Sequence, residues 1–309
     1  MGEPASRLSV IIVNWNAGEW LRSCVSSAFA AVAGMRAEIW LVDNASSDGS
    51  AELAAKAYPA LSVILNDRNL GFARAVNQAL SQASGEYVLL LNPDAKIDGG
   101  ALGRLLEVMR RDPRIGIAGC PSVNHRGRCV PGYETSFPGQ RGMSLPQKTG
   151  EGQNAAWVSG ACLLARRAMI DEIGPLDPGF FMYYEDVDWC YRAHTAGWRV
   201  VTLPDVAVRH ELGGSSGHVP PAESARRAAS SRLRFYQKHY SRRRARWLTL
   251  RMFASTVLRL SLQLVPCVFS SSAREKRKLE CVRLRAVLAK PAAKEGDAST
   301  QPGDKSLPN

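Results

Sequence analysis

Two oxygen-bearing side chains follow an apolar run and could together hold a metal ion. Residues Tyr87–Leu91 form a short, continuous apolar stretch, which predicts a strand buried on both faces. Strand pairing should stop in the sequence Asn92-Pro93-Asp94, because Pro93 cannot donate to a sheet ladder. Amide and carboxylate oxygens at the carboxyl end of a parallel strand could bind a hard divalent cation against a phosphate. A plain Asx-type turn after the strand is the alternative.

Strands and helices alternate on both sides of this stretch. Predicted strands before it are Leu8–Val13, Glu38–Val42 and Leu61–Leu65, with amphipathic helices between them. Short connections between alternating strands and helices are typical of an α/β fold with a mostly parallel central sheet flanked by helices. No Gly-x-Gly-x-x-Gly follows the first strand, which disfavours dinucleotide binding. Residues 121–153, rich in Gly, Pro, Arg and Gln, predict an excursion with a hairpin and a loop.

The composition is that of a globular protein with a basic C-terminal part. The chain has 309 residues, 45% hydrophobic and 22% charged, with a formal net charge of +12. The basic excess lies between Arg226 and Lys290 and implies an anionic partner: nucleic acid, acidic lipid or a phosphorylated ligand. The seven cysteines form no Cys-x-x-Cys pair, so zinc ligation and a disulfide framework are not expected. Since no signal-peptide pattern opens the chain, we expect a cytoplasmic protein.

The residues after Pro221 predict basic amphipathic helices. One helix should span Glu223–Tyr240, and the largely apolar stretch Trp247–Phe269 should form another. Arginines inside the second stretch would each cost about 2.5–3.5 kcal/mol at a bilayer centre, which argues against a membrane span. Helical spacing predicts a polar stripe formed by Arg251, Ser255, Arg259 and Gln263. It also predicts an apolar stripe formed by Leu250, Phe253, Val257, Leu260 and Leu264. We expect this helix to lie in an anionic membrane surface; packing on the globular domain is the alternative.

Five segments of the chain together resemble one known family. In order they read SVIIVNWN (9–16), VDNASSDGS (42–50), NLGFARAVN (69–77), LNPD (91–94) and YEDVD (184–188). Each is weak alone, but their order and spacing resemble family-2 glycosyltransferases with the GT-A fold, above all bacterial rhamnosyltransferases. The resemblance implies a GT-A nucleotide-diphospho-sugar transferase domain over residues 1–220. The helical extension then covers 221–290, and the polar residues 291–309 predict a disordered tail.

The resemblance implies a site for the base of a nucleotide-sugar donor, either dTDP- or UDP-linked. Asp43, at the end of the second strand, would accept the imide N–H of a uracil or thymine ring. Trp15 would offer a face or an edge to the base, although core packing is the alternative for this side chain. Val13 and Asn14 would line the pocket with backbone groups.

The resemblance also implies a diphosphate and metal site. Gly71 permits close backbone approach, and Arg74 could reach a diphosphate oxygen unless it is a plain surface charge. Asn92 and Asp94 match the family's Asp-x-Asp position, with an amide in place of the first carboxylate. An amide oxygen still ligates Mg²⁺ or Mn²⁺. His210 resembles the third metal ligand of relatives, and a hydrogen-bonded structural histidine is the alternative.

The resemblance also implies that the segment Glu185-Asp186 supplies the catalytic carboxylates. An inverting transfer needs a base on the face of the sugar opposite the leaving diphosphate, and the resemblance assigns this role to Asp186. Glu185 would contact an acceptor hydroxyl or serve as the second choice of base. An acidic first turn of a helix, with no catalytic role, is the alternative.

These features predict an inverting, metal-assisted glycosyltransferase at the inner face of the plasma membrane. The sugar implied by the subgroup is L-rhamnose from dTDP-rhamnose, and the acceptor is a lipid-linked or cell-envelope saccharide. A sugar-phosphate nucleotidyltransferase is one alternative, but it would need a Gly-rich basic signature where Asn14-Trp15-Asn16 stands. No nucleic-acid partner is expected, because the basic residues lie beside an apolar helix and not among exposed aromatic side chains.

Overall fold

The computed structural model describes residues 7–124, 126–140, 151–211, 219–262 and 271–288. Its strands are β1 (Leu8–Asn14), β2 (Ala37–Asp43), β3 (Leu61–Leu65), β4 (Tyr87–Leu91), β5 (Ala95–Lys96), β6 (Ile115–Gly119), β7 (Ser122–Val123), β8 (Cys129–Val130), β9 (Tyr133–Glu134), β10 (Gln153–Asn154), β11 (Trp157–Val158), β12 (Cys162–Arg166), β13 (Arg199–Thr202) and β14 (Val208–His210). Its helices are α1 (Glu19–Ala31), α2 (Ser50–Ala57), α3 (Phe72–Gln82), α4 (Gly99–Arg111), α5 (Arg167–Ile173), α6 (Glu185–Thr195), α7 (Pro221–His239), α8 (Arg242–Leu262) and α9 (Ser271–Leu288).

An eight-stranded sheet forms the centre of the molecule, in the order β10-β13-β6-β12-β4-β1-β2-β3. Strands β3, β2, β1 and β4 are parallel neighbours, as are β6 and β13. Strand β12 runs antiparallel between β4 and β6, and β10 runs antiparallel at the edge. The mostly parallel α/β sheet expected from the sequence is therefore confirmed. A short turn at residues 159–161 separates β11 from β12.

The apolar runs become strands because both faces of the sheet are covered. Along β4, Leu89 and Leu91 point into a core cluster with α1, α2 and α4, whereas Val88 and Leu90 point into a second cluster with α3, α5 and α6. All five residues of β4 are buried. A strand buried on both sides cannot alternate apolar and polar residues, which explains its continuous apolar sequence.

A small second sheet lies at the carboxyl end of β4 and brings distant residues together. Its order is β5-β14-β7-β8. The antiparallel pair β7–β8 is the hairpin predicted in the excursion. Strand β14 pairs antiparallel with β5, in a register that places His210 opposite Ala95. The loop expected after this hairpin falls partly on residues 141–150, which lie outside the described ranges.

Helix α7 lies where the sequence predicted a helix, whereas α8 begins at Arg242 and not at the predicted Trp247. Helix α7 contributes Phe235 and Tyr236 to the second core cluster. On α8 the packed face carries Ala245, Leu248 and Thr256. The predicted division into two stripes is therefore wrong for α8: Leu250 and Arg251 are both exposed and share its outer face.

In the described ranges, the helices are too polar or too short to cross a bilayer. The predicted continuation of α8 to Phe269, the side chains of Leu260, Gln263 and Leu264, and the tail 291–309 lie outside the residues whose side chains are described.

Candidate active site

The three predicted metal ligands meet at the carboxyl end of β4. The register of β14 against β5 puts His210 beside Asp94, and His210 Nε2 lies 3.1 Å from Asp94 Oδ1. Asn92 Nδ2 lies 3.5 Å from the same ring nitrogen. Asp94 and His210 are buried. Residues 116 positions apart in the chain thus face each other in one corner of the molecule.

This corner fits a divalent cation. A carboxylate, an imidazole and an amide oxygen form a donor set that suits Mn²⁺. Mg²⁺ could bind to the carboxylate and amide oxygens of the same set. The amide of Asn92 presents oxygen in place of nitrogen when it is rotated by half a turn, and such orientations are assigned from the hydrogen-bond network. Among the described residues, His, Cys, Asp and Glu side chains form no cluster of three. The metal corner is not such a cluster, since its third donor is the amide of Asn92.

A cleft opens beside this corner, and four of the predicted donor-binding residues line it: Val13, Trp15, Gly71 and Asn92. The other lining residues are Asn44, Asn69, Phe72, Pro93, Phe181, Met182, Val219 and Arg227. The strand ends supply one wall, and the segment before α6 supplies the other. The position agrees with the rule that ligands of α/β sheets bind beyond the carboxyl ends of strands.

Asp43 and Asn14 form a polar cluster next to this cleft. Asn14 Nδ2 donates to Asp43 Oδ1 at 2.7 Å, and Ser46 donates to Asp43 through its hydroxyl at 2.6 Å and its backbone N–H at 2.9 Å. Asp43 Oδ1 therefore accepts two of these hydrogen bonds and Oδ2 accepts one, so Oδ2 can accept another. This arrangement fixes the carboxylate at the end of β2, directly before the cleft residue Asn44.

The segment containing Phe181 packs against the Gly71–Phe72 wall of the cleft. The backbone N–H of Phe72 donates to the Phe181 carbonyl at 2.8 Å, and a Cβ on Gly71 would lie 2.5 Å from that oxygen. Gly71 also has φ +84°, so glycine is needed here for conformation as well as space. The cleft encloses about 80 Å³, and typical ligand pockets need roughly 300 Å³ or more.

A positively charged side chain from the C-terminal part of the chain lines the cleft. Arg227, on α7, lines the cleft with its guanidinium 4.7 Å from the centre of the Phe181 ring. Arg74 instead lies outside the lining, and its Nε donates to the Pro178 carbonyl at 3.3 Å. Sequence reasoning missed Arg227, because it is one of many arginines on a basic helix and nothing local marks the one that faces the cleft.

The two predicted catalytic carboxylates open helix α6. Asp186 Oδ2 accepts the Gly160 N–H at 2.9 Å, and Oδ1 accepts the Val187 N–H at 2.8 Å. Burial raises the pKa of Asp186 above its ordinary value, although these two backbone hydrogen bonds oppose the rise. Burial and the nearby Asp186 carboxylate raise the pKa of Glu185 well above its ordinary value. Among the described residues, buried Glu185 Oε2 has no hydrogen-bond partner.

Asp186 lies at the same end of the sheet as the metal corner. Gly160, which holds the Asp186 carboxylate, is also close to the Phe72 ring in the cleft wall. The next residue, Ala161, accepts a hydrogen bond from the Asn92 N–H at 3.0 Å. The chain preceding β12 therefore connects the predicted base to the predicted metal ligands. A carboxylate with a raised pKa beside a cleft is suited to general-base chemistry.

Comparisons with known proteins agree with this geometry. A family model described as "Glycosyltransferase like family 2" matches residues 4–249. The N-acetylglucosaminyl-diphospho-decaprenol L-rhamnosyltransferase of Mycobacterium tuberculosis is 30% identical over 303 residues, covering 88% of this chain and 97% of that protein. The low-salt glycan biosynthesis hexosyltransferase Agl10 of Haloferax volcanii is 30% identical over 197 residues, covering 60% and 61%.

Solved structures show the same fold. The mannosyltransferase PcManGT of Pyrobaculum calidifontis, in complex with GDP-Man and Mn²⁺, has a TM-score of 0.59 at 17% identity and covers 95% of this chain and 89% of its own. GalNAc-T7, with UDP, GalNAc and Mn²⁺, has a TM-score of 0.57 at 20% identity and covers 72% and 48%. The family match over residues 4–249 and the similarity to the Mycobacterium tuberculosis enzyme decide against the nucleotidyltransferase alternative. The chain therefore belongs to glycosyltransferase family 2, has the GT-A fold and is a glycosyltransferase.

Proposed function

We propose that this protein is an inverting rhamnosyltransferase. It transfers L-rhamnose from a dTDP- or UDP-linked donor to a saccharide carried on a polyprenyl diphosphate. The observation that carries this proposal is the similarity to the Mycobacterium tuberculosis L-rhamnosyltransferase, which extends over 88% of this chain and 97% of that protein. The choice of donor base follows from the family resemblance of the cleft residues.

Asp186 acts as the general base. Backbone N–H groups of Gly160 and Val187 fix its two oxygens, so the carboxylate keeps one orientation while its remaining lone pairs can accept the acceptor hydroxyl proton. Its raised pKa makes it a stronger base than an exposed aspartate. The oxygen it activates attacks the anomeric carbon from the face opposite the diphosphate, which inverts that centre. Glu185 contacts the acceptor.

The donor lies in the cleft between the strand ends and Phe181. Trp15 and Val13 contact the base, Asp43 and Asn14 supply polar groups at its edge, and Gly71 allows backbone approach. Arg227 lies against the diphosphate, a role that Arg74 could take only by leaving the Pro178 carbonyl.

The metal site lies beside the diphosphate. Asn92, Asp94 and His210 would hold Mg²⁺ or Mn²⁺, whose positive charge stabilises the departing diphosphate when it is bound.

The outer face of α8 binds an anionic membrane surface. Trp247, Leu250 and Leu258 are respectively 55, 66 and 60% exposed, and helical spacing puts them on one side. Arg251 stacks on Trp247, with its guanidinium 5.0 Å from the ring centre. Exposed apolar side chains beside arginines are typical of helices that lie in a membrane interface. This location would bring a lipid-linked acceptor to the enzyme from the inner face of the plasma membrane.

The transfer reaction is tested with the purified full chain. The protein is incubated with dTDP-rhamnose or UDP-linked sugars, Mn²⁺ or Mg²⁺, and N-acetylglucosamine carried on a short polyprenyl diphosphate. We expect a rhamnosylated lipid by mass spectrometry, with the new linkage inverted relative to the donor. Asp186→Asn should abolish transfer while nucleotide still raises its melting temperature. Full transfer by Asp186→Asn, or a retained anomeric configuration, would contradict the mechanism.

Membrane binding is tested separately by sedimentation with vesicles. We expect binding to phosphatidylglycerol vesicles and little binding to phosphatidylcholine vesicles. Trp247→Ala combined with Leu250→Ala should weaken it, whereas Leu53→Ala, which removes an exposed leucine on α2 (64% exposed), is the matched control. Equal binding by the α8 variant and the control would refute a role for this face.

A further inference from the structure

A second cavity lies between helices α7, α8 and α9, next to the residue that precedes α6. It has a volume of about 260 Å³, and Tyr184 forms its end nearest the active site. Small alanines of α7 make room for it. Three arginines line it, one from each helix: Arg232 of α7, Arg259 of α8 and Arg283 of α9.

The arginines give this cavity an excess of positive charge. Glu280 pairs with Arg259 at 3.2 Å and with Arg283 at 2.6 Å, so one carboxylate serves two guanidinium groups. Arg232 donates to the Tyr236 hydroxyl at 2.7 Å. Three cations and one anion leave a net positive charge among the described groups of the cavity. Guanidinium groups bind phosphate oxygens in pairs of hydrogen bonds, so clusters of arginine around a cavity suit a phosphate or diphosphate.

The position of the cavity connects the active site to the membrane-facing helix. Tyr184 is followed directly by Glu185 and Asp186, and its own backbone is left-handed, with φ 70°. On the other side, α8 supplies Arg259 to the cavity and Leu258 to the exposed apolar face. A ligand with an anionic group in the cavity could therefore place a sugar near Asp186 and an apolar tail along α8.

We propose that the cavity lined by Arg232, Arg259 and Arg283 binds the diphosphate of a polyprenyl-diphosphate-linked acceptor. This inference rests on the proposed function, which supplies the lipid-linked acceptor. Binding of the diphosphate can nevertheless be measured without any sugar transfer. The arginines hold the diphosphate by charge-assisted hydrogen bonds and so fix the distance between the lipid and the acceptor hydroxyl. The donor cleft, lined by Arg227, is a separate site.

Direct binding tests the proposal. A short polyprenyl diphosphate without any sugar, and the matching uncharged polyprenol, are titrated in detergent micelles against the full chain. The wild type should bind the diphosphate at least about tenfold more tightly than the polyprenol. Arg259→Gln leaves Glu280 paired with Arg283 and should weaken diphosphate binding about tenfold, as should Arg232→Gln. Arg243→Gln, which removes an exposed arginine of α8 outside the cavity, should not change it.

Kinetics separate this proposal from the proposed function and from a structural role. In the transfer assay, Arg259→Gln should raise the acceptor KM about tenfold and leave the donor KM and the melting temperature unchanged. Equal affinity of the wild type for diphosphate and polyprenol would overturn the proposal, as would unchanged binding in both cavity variants. A parallel rise of donor and acceptor KM with a lowered melting temperature would also overturn it. Absence of any transfer by a wild type that binds diphosphate through these arginines would refute the proposed function alone.

Discussion

Asp188 should be a principal stabilising contact between helices α6 and α7. Its carboxylate is fully buried and accepts hydrogen bonds from His239 at 2.7 Å, Lys238 at 2.7 Å and Arg192 at 2.9 Å. Burial raises the pKa of Asp188, but hydrogen bonds from His239 and Lys238 and the charge of Arg192 outweigh it and hold the pKa at about 2. That depression from 3.8 corresponds to about 2 kcal/mol, since one pKa unit is about 1.4 kcal/mol.

Asp188→Asn should therefore lower the free energy of unfolding by about 2 kcal/mol. The loss stays below the 3–5 kcal/mol typical of a fully broken buried ion pair because the cations keep other partners. Lys238 still contacts Asp177 at 2.7 Å, and Arg192 still donates to the Pro175 carbonyl at 2.6 Å. Urea unfolding monitored by tryptophan fluorescence measures the change, and Asp205→Asn, at an exposed pair with Arg104, is the control.

The pH dependence gives this prediction a second readout. The folded-state pKa is depressed, so the stabilisation is present above the unfolded pKa, near 4, and is lost as pH falls toward 2. The difference in unfolding free energy between wild type and Asp188→Asn should thus be about 2 kcal/mol near pH 6 and approach zero near pH 2. A difference below about 0.5 kcal/mol near pH 6, equal to that of an exposed pair, would refute the reasoning.

Four further outcomes test the active site. Because the pKa of Asp186 is raised, kcat/KM should fall on the acid side at a pH above the ordinary aspartate range, and a pH–rate profile with a full-range buffer measures this limb. Gly71→Ala should destabilise by about 1–3 kcal/mol in urea unfolding, since its methyl group meets the Phe181 carbonyl at a positive φ; an unchanged midpoint would contradict the contact. Arg227→Gln should raise the donor KM about tenfold and leave the acceptor KM unchanged in steady-state kinetics. Asp94→Asn should weaken Mn²⁺ binding at least about tenfold by calorimetry, and unaltered affinity would place the metal elsewhere.

The sequence by itself determined the strands of the sheet and most of the residues at their ends. The apolar run Tyr87–Leu91 indicated a strand buried on both faces, and Pro93 marked its end, so we expected Asn92 and Asp94 at the carboxyl edge of the sheet. Such inferences succeed because they depend on neighbours in the chain. The alternation of strands and helices determined the fold class for the same reason.

The tertiary structure alone decided which distant side chains complete the sites. His210 faces Asp94 because β14 pairs with β5 in one particular register, and a shift by one residue would turn it away. Arg227 reaches the cleft because α7 packs Phe235 into the core and so fixes which of its faces meets the cleft. Which face of a helix meets the cleft depends on packing between segments far apart in sequence, so the residues of the helix alone do not predict it.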